Sequence, residues 1–424
     1  MSDDAVLASL RFMVGAALRD TKPGTVGVAV SGGGDSMACL DLMCWQSEQA
    51  GFPITAVTVD HGLRVEARDE IALVAGYCAE RGVSHDVLSW SWDGTGNLQA
   101  VARAARYRLI AAWAKRSGVS CVVLGHTETD VAETFLMRLA RKSGVEGLAE
   151  MERRFERHGV RWMRPLLSAS REELRAYLDR QGVTWAEDAS NDDPRFDRVK
   201  ARRILDALEP LGIDAETLST VAHNLYLANA ALDHYVYDAA WRYAEEIAGD
   251  LLLPCDNVED DRLIPMETLY RLRSAALQWV GGGAYTPRSD GMIEMDVALG
   301  AGKTHTLGGC LVTFEKGKRA SDHKWRIARE YNAVKDLTGP TDQLWDGRWH
   351  LNGPHEGILT IRALGDAVKD TPWRDTGLPR QSLRASPAIW QGETLIAAPL
   401  AGLANGWTAE ATGRGNFAEF LISR

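Results

Sequence analysis

The segment Ser31-Gly32-Gly33-Gly34-Asp35-Ser36 holds the residue types best suited to chemistry. Consecutive glycines let backbone N–H groups turn toward an anion without Cβ obstruction. A helix beginning there would add partial positive charge. Ser31 and Ser36 bring hydroxyl donors to the same anion. Asp35 has the wrong sign for such a site unless it holds a Mg²⁺ shared with phosphates or positions the loop. A Rossmann Gly-x-Gly-x-x-Gly is not met, since its third glycine would fall on Met37. A Walker-type loop is hinted at by Gly302-Lys303-Thr304, but Val297 stands where that motif needs its first glycine. Its absence moves the chemistry away from γ-phosphoryl transfer.

Asp130 and Glu133 are three apart at the start of an expected helix, hence on one face. Two carboxylates there could bind an ammonium group, help strip its proton or ligate a metal. They also suit an ordinary acidic first turn favoured by the helix dipole. His61 and His126 each follow an expected strand end, where side chains line the crevice of a sheet. Two basic runs stand out: Arg195, Arg198, Lys200, Arg202 and Arg203, and, diluted by Glu152 and Glu156, Arg153, Arg154, Arg157, Arg161 and Arg164. Arginine suits phosphates and planar bases. The aromatic residues Tyr226, Tyr235, Tyr237, Trp241 and Tyr243 are expected in the core of a helical region rather than stacked on RNA.

These groups need a scaffold. Val26 to Val30 reads as a strand entering the Gly-rich loop, and a helix follows through Met37, Leu40 and Met43. The strand signal recurs at 54–59, 84–91 and 121–124, with helical spacing at 5–19, 66–81 and 97–117 and from Glu128. Alternation of this kind predicts an α/β fold with a doubly wound parallel sheet. The loops at 31, 60 and 125 then leave the carboxyl ends of strands, where such sheets bind ligands. The expected divisions are 1–214 for this sheet domain, 215–338 for a mostly helical domain, and 339–424 for a small β-rich domain.

Length and composition fit this plan. At 424 residues the chain has room for two or three cores. A formal charge of -10 argues against non-specific coating of nucleic acid, so such contacts must be local. Six cysteines without metal or disulfide spacing, and no basic-apolar leader or apolar run of membrane length, predict a cytoplasmic protein with no membrane contact.

The Ser-Gly-Gly-Gly-Asp-Ser loop resembles that of the N-type ATP pyrophosphatases, the PP-loop family with an adenine nucleotide alpha hydrolase-like fold. Later blocks resemble its lysidine synthase branch. They are Asp60-His61-Gly62-Leu63-Arg64, Asn97-Leu98-Gln99 with Arg103 and Arg106, Gly125-His126 with Asp130, Glu133, Arg138 and Arg141, Arg164-Pro165-Leu166-Leu167, and Asp188-Ala189-Ser190-Asn191 with Arg198 and Arg202. The resemblance implies a ligase that cleaves ATP between its α- and β-phosphates and joins L-lysine to the wobble cytidine of tRNA(Ile) with a CAU anticodon. It implies ATP contacts from Ser31 to Ser36, His61, Arg64, Gly125 and His126, and Mg²⁺ at Asp35. Catalytic roles would fall to Asp35, Asp130, Glu133, Arg198 and Arg202 in a catalytic domain 1–214, and tRNA contacts to Arg103, Arg106, Arg138, Arg141, Arg195, Arg198 and Lys200 and to a tRNA-binding domain 215–338. Thr129, Val131 and Val199 depart from the family's usual Asp, Gln and Asn. Another PP-loop tRNA-modifying enzyme and a weakened ATP- or RNA-binding protein stay open as alternatives. So does the oligomeric state, a homodimer included.

Overall fold

A computed structural model describes residues 3–19, 24–62, 67–92, 94–96, 98–187, 197–255, 264–283, 286–319, 322–355 and 357–422. The chain divides into two compact units, Met1–Asn229 and Ala230–Arg424.

In the first unit, helix α1 (Asp3–Leu18) precedes β1 (Thr25–Ala29), α2 (Gly34–Ala50), β2 (Ile54–Asp60), α3 (Ala67–Glu80), β3 (Ser84–Ser89), α4 (Leu98–Arg116) and β4 (Val119–Leu124). There follow α5 (Glu128–Leu139), α6 (Val145–Leu148), β5 (Arg154–Arg157), β6 (Val160–Met163), α7 (Arg171–Gln181), α8 (Asp197–Leu208) and α9 (Ala215–Tyr243), which runs across the division. The strands form one sheet in the order β3-β2-β1-β4-β6-β5. All pairings are parallel except β5 with β6.

Both faces of the sheet are covered, which is why its strands read as apolar runs. Val26, Val28 and Val30 pack with residues of α1, α2, α3 and α7, while Ala29, Val57 and Val122 pack with Tyr107, Ile110 and Trp113 of α4. Strand order reverses beside β1, with β2 on one flank and β4 on the other. The crevice outside the carboxyl ends of β1 and β4 is therefore the switch point where doubly wound sheets take ligands.

The β5–β6 hairpin was absent from the sequence expectation. Its turn, His158-Gly159, has positive φ at both residues, 57° and 65°. That is the backbone of a type I′ turn, signalled in sequence more often by Asn-Gly. The hairpin also disperses the second basic run. Arg154 donates to the carbonyls of Ala16 and Ala17, Arg153 pairs with Glu150, and Arg157 lies over the Tyr107 ring.

The second unit contains β7 (Glu245–Ile247), β8 (Asp250–Pro254), α10 (Met266–Gly281), α11 (Ser289–Gly300), β9 (His305–Leu307), β10 (Cys310–Glu315) and β11 (Lys324–Arg329). After these come α12 (Tyr331–Val334), β12 (Thr338–Pro340), β13 (His350–Asn352), β14 (Thr360–Ala363), α13 (Arg380–Arg384), β15 (Pro387–Gln391), β16 (Thr394–Ala397), β17 (Thr408–Glu410) and α14 (Phe417–Ile422). The region read as mostly helical carries a five-stranded antiparallel sheet, β7-β8-β11-β10-β9, besides its helices. Its β8 is buried at every position. A continuous apolar run has no period to separate strand from helix. The last stretch forms a sheet β12-β14-β15-β16 and a pair β13-β17.

Two smaller expectations resolve here. Gly302-Lys303-Thr304 follows a helix and precedes a strand, the reverse of a phosphate loop. Tyr226, Tyr235 and Trp241 are exposed on α9 rather than in the core. The buried stripe of α9 is built from Leu218, Ser219, Ala222, Val236, Ala239 and Ala240, and Tyr235 and Trp241 fall outside its angular range.

Candidate active site

The Gly-rich loop connects β1 to α2 as the residue pattern demands. Gly32 has φ +92°, a conformation that a residue with a Cβ adopts only under strain. Ser31 N–H donates to Ser36 Oγ at 3.1 Å, and Ser36 Oγ donates to the Gly33 carbonyl at 2.9 Å. The serines thus close the loop upon itself; Ser36 N–H returns to the Gly33 carbonyl at 3.1 Å, so the amides of Gly34 and Asp35 are the ones that open α2 without an i−4 acceptor. Ala186 N–H donates to the Gly32 carbonyl at 2.9 Å and braces the loop from outside.

Gly125 ends β4 against this loop. A Cβ on Gly125 would lie 2.8 Å from the Asp35 carbonyl oxygen and 3.1 Å from Ser36 Cα, both backbone atoms that cannot swing aside. We therefore expect Gly125→Ala to cost about 1–3 kcal/mol of stability and to weaken nucleotide binding, because strand end and loop must part. Thermal melts and ATP titration check this, and unchanged values in both would contradict the close approach.

Beyond Gly125, α5 brings its two carboxylates inward. Asp130 is buried; its Oδ2 accepts from the Thr127 amide at 3.0 Å, and its Oδ1 accepts from Arg198 at 2.9 Å. Burial alone would raise its pKa, but Arg198 and the Thr127 amide together hold Asp130 below the usual carboxylate range. Glu133 is fully buried, and Oε1 accepts two hydrogen bonds from Arg202, at 3.0 and 2.8 Å. Its other oxygen, Oε2, is buried without a hydrogen-bond partner among the described residues. Burial and the neighbouring Asp130 push Glu133 up, against the pull of Arg202.

His126 accepts a hydrogen bond at Nδ1 from Arg164 Nε at 3.2 Å. Its neutral ring then carries the proton on Nε2. Burial, with the charges of Arg164, Arg106 and Arg198 acting against Asp130, lowers its pKa to about 3. Arg106 is half-buried, and burial together with Arg103 and Arg198 lowers its pKa as well. Arg103 is exposed and lies over Tyr107 at 5.7 Å. Cations crowd this side of the crevice, an arrangement suited to a polyanion.

Several expected contacts have a structural partner. Arg138 donates to the carbonyls of Gly147 and Ala149, pinning α6, while Arg141 and Lys200 flank Asp197 at the surface. His61 packs edge-on against Trp90, away from α5 in sequence and beside the Asp60–Gly62 turn. Val131 and Val199 are buried, so those two departures put apolar side chains into packed interior, whereas Thr129 is half-buried in the first turn of α5. Arg64, Arg195, Asn97 and the block Asp188 to Asn191 lie outside the described residues.

Sequence reasoning did not single out Arg171, whose Nε donates to Asp35 Oδ2 at 3.3 Å. It also passed over Glu128, at the start of α5. Burial and the charges of Glu216, Glu173, Asp214 and Glu172 push Glu128 up to about 7 from 4.5. Ionising it is harder in the folded chain than in the unfolded one. Its stability contribution is therefore complete below pH 4.5 and is lost as pH rises through 7. Glu128→Gln is expected to raise Tm by about 2–4 °C at about pH 8, for a gain of roughly 1 kcal/mol. No gain is expected near pH 4.5; equal gains at both pH values in thermal melts would contradict the assignment.

Comparison with known proteins agrees with this geometry. A family model described as a PP-loop domain matches residues 9–208. The tRNA(Ile)-lysidine synthase of Ruegeria pomeroyi is 47% identical over 405 residues, covering 95% of this chain and 94% of its own length. That of a Bradyrhizobium species is 43% identical over 53% of this chain and 63% of its own. That of Zymomonas mobilis subsp. mobilis is 37% identical over 61% of this chain and 77% of its own.

Proposed function

We infer the chemistry from one premise: this chain belongs to the tRNA(Ile)-lysidine synthase family of PP-loop proteins. It is a ligase that uses ATP and modifies tRNA. The reading extends to a substrate, tRNA(Ile) with a CAU anticodon, to L-lysine as the second substrate, and to a cytoplasmic place of work. No helix among the described residues is long and apolar enough to cross a membrane, in keeping with that place.

Two steps make up the reaction. The C2 oxygen of the wobble cytidine attacks the α-phosphorus of ATP, and pyrophosphate leaves. The side-chain amine of lysine, having lost a proton, then attacks C2, and AMP leaves. The first-turn amides of α2 are the loop groups that would cradle the leaving pyrophosphate, while Ser31 and Ser36 brace the loop from within. Asp35 is one carboxylate beside that cradle, a donor set that fits Mg²⁺, which takes most of its ligands from phosphate oxygens and water. When bound, Mg²⁺ supplies charge neutralisation for the leaving group.

The observation that carries the lysine step is Glu133 Oε2, a buried acceptor without a hydrogen-bond partner among the described residues, beside an Asp130 held ionised by Arg198. A buried acceptor of this kind calls for a donor. An ammonium group supplies one, and a carboxylate with a raised pKa is suited to taking its proton. To His126, held neutral with Nε2–H by Arg164, and to the cations Arg103 and Arg106 we assign the phosphate and the activated base. Within the second unit, we assign residues 230–338, with the sheet β7-β8-β11-β10-β9, to tRNA binding; 339–424 packs into the same compact unit.

Nucleoside analysis of tRNA(Ile) after incubation with ATP and labelled lysine tests this. Label in lysidine together with AMP supports the reading; ATP bound without AMP formed overturns it.

A further inference from the structure

Arg171 stands within reach of the pyrophosphate loop, and the backbone fixes it there. It is the first residue of α7, behind Ser170, whose hydroxyl accepts the Glu173 N–H at 3.1 Å while Ser170 N–H donates to the Glu173 carboxylate at 3.0 Å. Two of its guanidinium nitrogens lie 3.3 Å from Asp35 Oδ2. Six residues further along each helix, Tyr177 donates to the buried Asp41. Both pairs span 136 residues, so α2 and α7 run side by side in one direction, and Arg171 cannot slide along α2 without breaking the inner pair.

The cation also feels the charges of Asp130 and Glu133. Among the described residues no group of three or more His, Cys, Asp or Glu could hold a metal ion alone. With Asp35 as its carboxylate among the described residues, an ion there would draw on phosphate and water for further ligands. A guanidinium, for its part, matches phosphate oxygens as well as it matches a carboxylate.

We propose that Arg171 guards Asp35: it covers the carboxylate while no nucleotide is bound, keeps a bare divalent cation off it, and passes to the pyrophosphate oxygens when the metal–nucleotide complex arrives. This rests on the reading that the loop takes the pyrophosphate of ATP. With Arg171 on Asp35 the pair is neutral, and a lone cation meets little attraction. Incoming phosphates give the guanidinium a second anion, which frees the carboxylate for the metal that came with them. Charge stays balanced at each stage, and metal entry follows nucleotide entry.

The test uses the whole chain and two probes: Mn²⁺ alone, read from the spin-resonance signal of the free ion, and inorganic pyrophosphate with Mg²⁺, read by calorimetry. Arg171→Gln is expected to bind Mn²⁺ at least about tenfold more tightly than wild type. It is expected to bind pyrophosphate at least about tenfold more weakly, the size of one lost charge-assisted hydrogen bond. Arg175→Gln, one turn on and about half exposed, is expected to change neither by more than about twofold. Should Arg171→Gln fail to fold, Arg171→Lys carries the test: it keeps the charge, so Mn²⁺ stays excluded, and it loses the fork, so pyrophosphate binding weakens by about threefold.

Unchanged Mn²⁺ binding or unchanged pyrophosphate binding in Arg171→Gln would overturn the role, as would an equal effect from Arg175→Gln. For Arg171→Lys, Mn²⁺ binding tighter than wild type, or pyrophosphate binding equal to it, would do the same. A wild-type chain that binds no Mg²⁺–pyrophosphate would instead overturn the functional reading itself.

Discussion

Asp35→Ala is expected to lower AMP and pyrophosphate formation by at least about 10²–10³-fold, the scale of losing one preorganised stabiliser of transition-state charge. The fold should survive. Asp35 lies at the crevice rather than in the core, and burial raises its pKa against the pull of Arg171, so its ionised form does not support the folded state. Steady-state AMP formation with tRNA and lysine, alongside a thermal melt, checks both halves. Turnover within tenfold of wild type would refute the role of Asp35, and a collapsed melt would show that the residue is structural.

A second large effect is expected from Arg202→Ala. The sequence sets Arg202 in a basic run suited to phosphates and bases, and the structure adds an inward partner: Arg202 makes two hydrogen bonds to fully buried Glu133. Removing one member of such a pair leaves a buried charge uncompensated, which costs about 3–5 kcal/mol. For a unit of this size that corresponds to a fall in Tm on the order of 10 °C. Adding Glu133→Gln removes the orphaned charge and should restore a large part of the loss in melts of the double variant. Arg198→Ala should cost less, because Asp130 keeps the Thr127 amide on its other oxygen. If Arg202→Ala melts as wild type while tRNA use falls, the inward pair carries no weight and only the RNA contact remains.

These two expectations mark how far the sequence reached. Triple glycine between a strand and a helix was legible because only that residue type frees the amides and permits the positive φ at Gly32. The spacing of Asp130 and Glu133 announced one helical face. It did not announce which side chains would neutralise them, since Arg198 and Arg202 are 68 and 69 residues away from their partners. Arg171 was illegible for the same reason, as nothing near it in the chain hints at Asp35. The hairpin Arg154–Met163 escaped because each strand is only four residues long and its His158-Gly159 turn lacks the usual Asn-Gly signal.

What the sequence determined alone was therefore local: the loop, the strands that feed it, the order of the blocks and hence the class of bond broken. Each depends on backbone freedom or on a period within a few residues. Tertiary structure decided the charge state of the site. Folding stacks α7 on α2 and sets Arg198 and Arg202 of α8 against the carboxylates of α5, bringing distant ions together out of water. In that setting proximity and desolvation, rather than residue type, decide which carboxylate stays ionised, which is held for a proton, and which is covered until a ligand arrives.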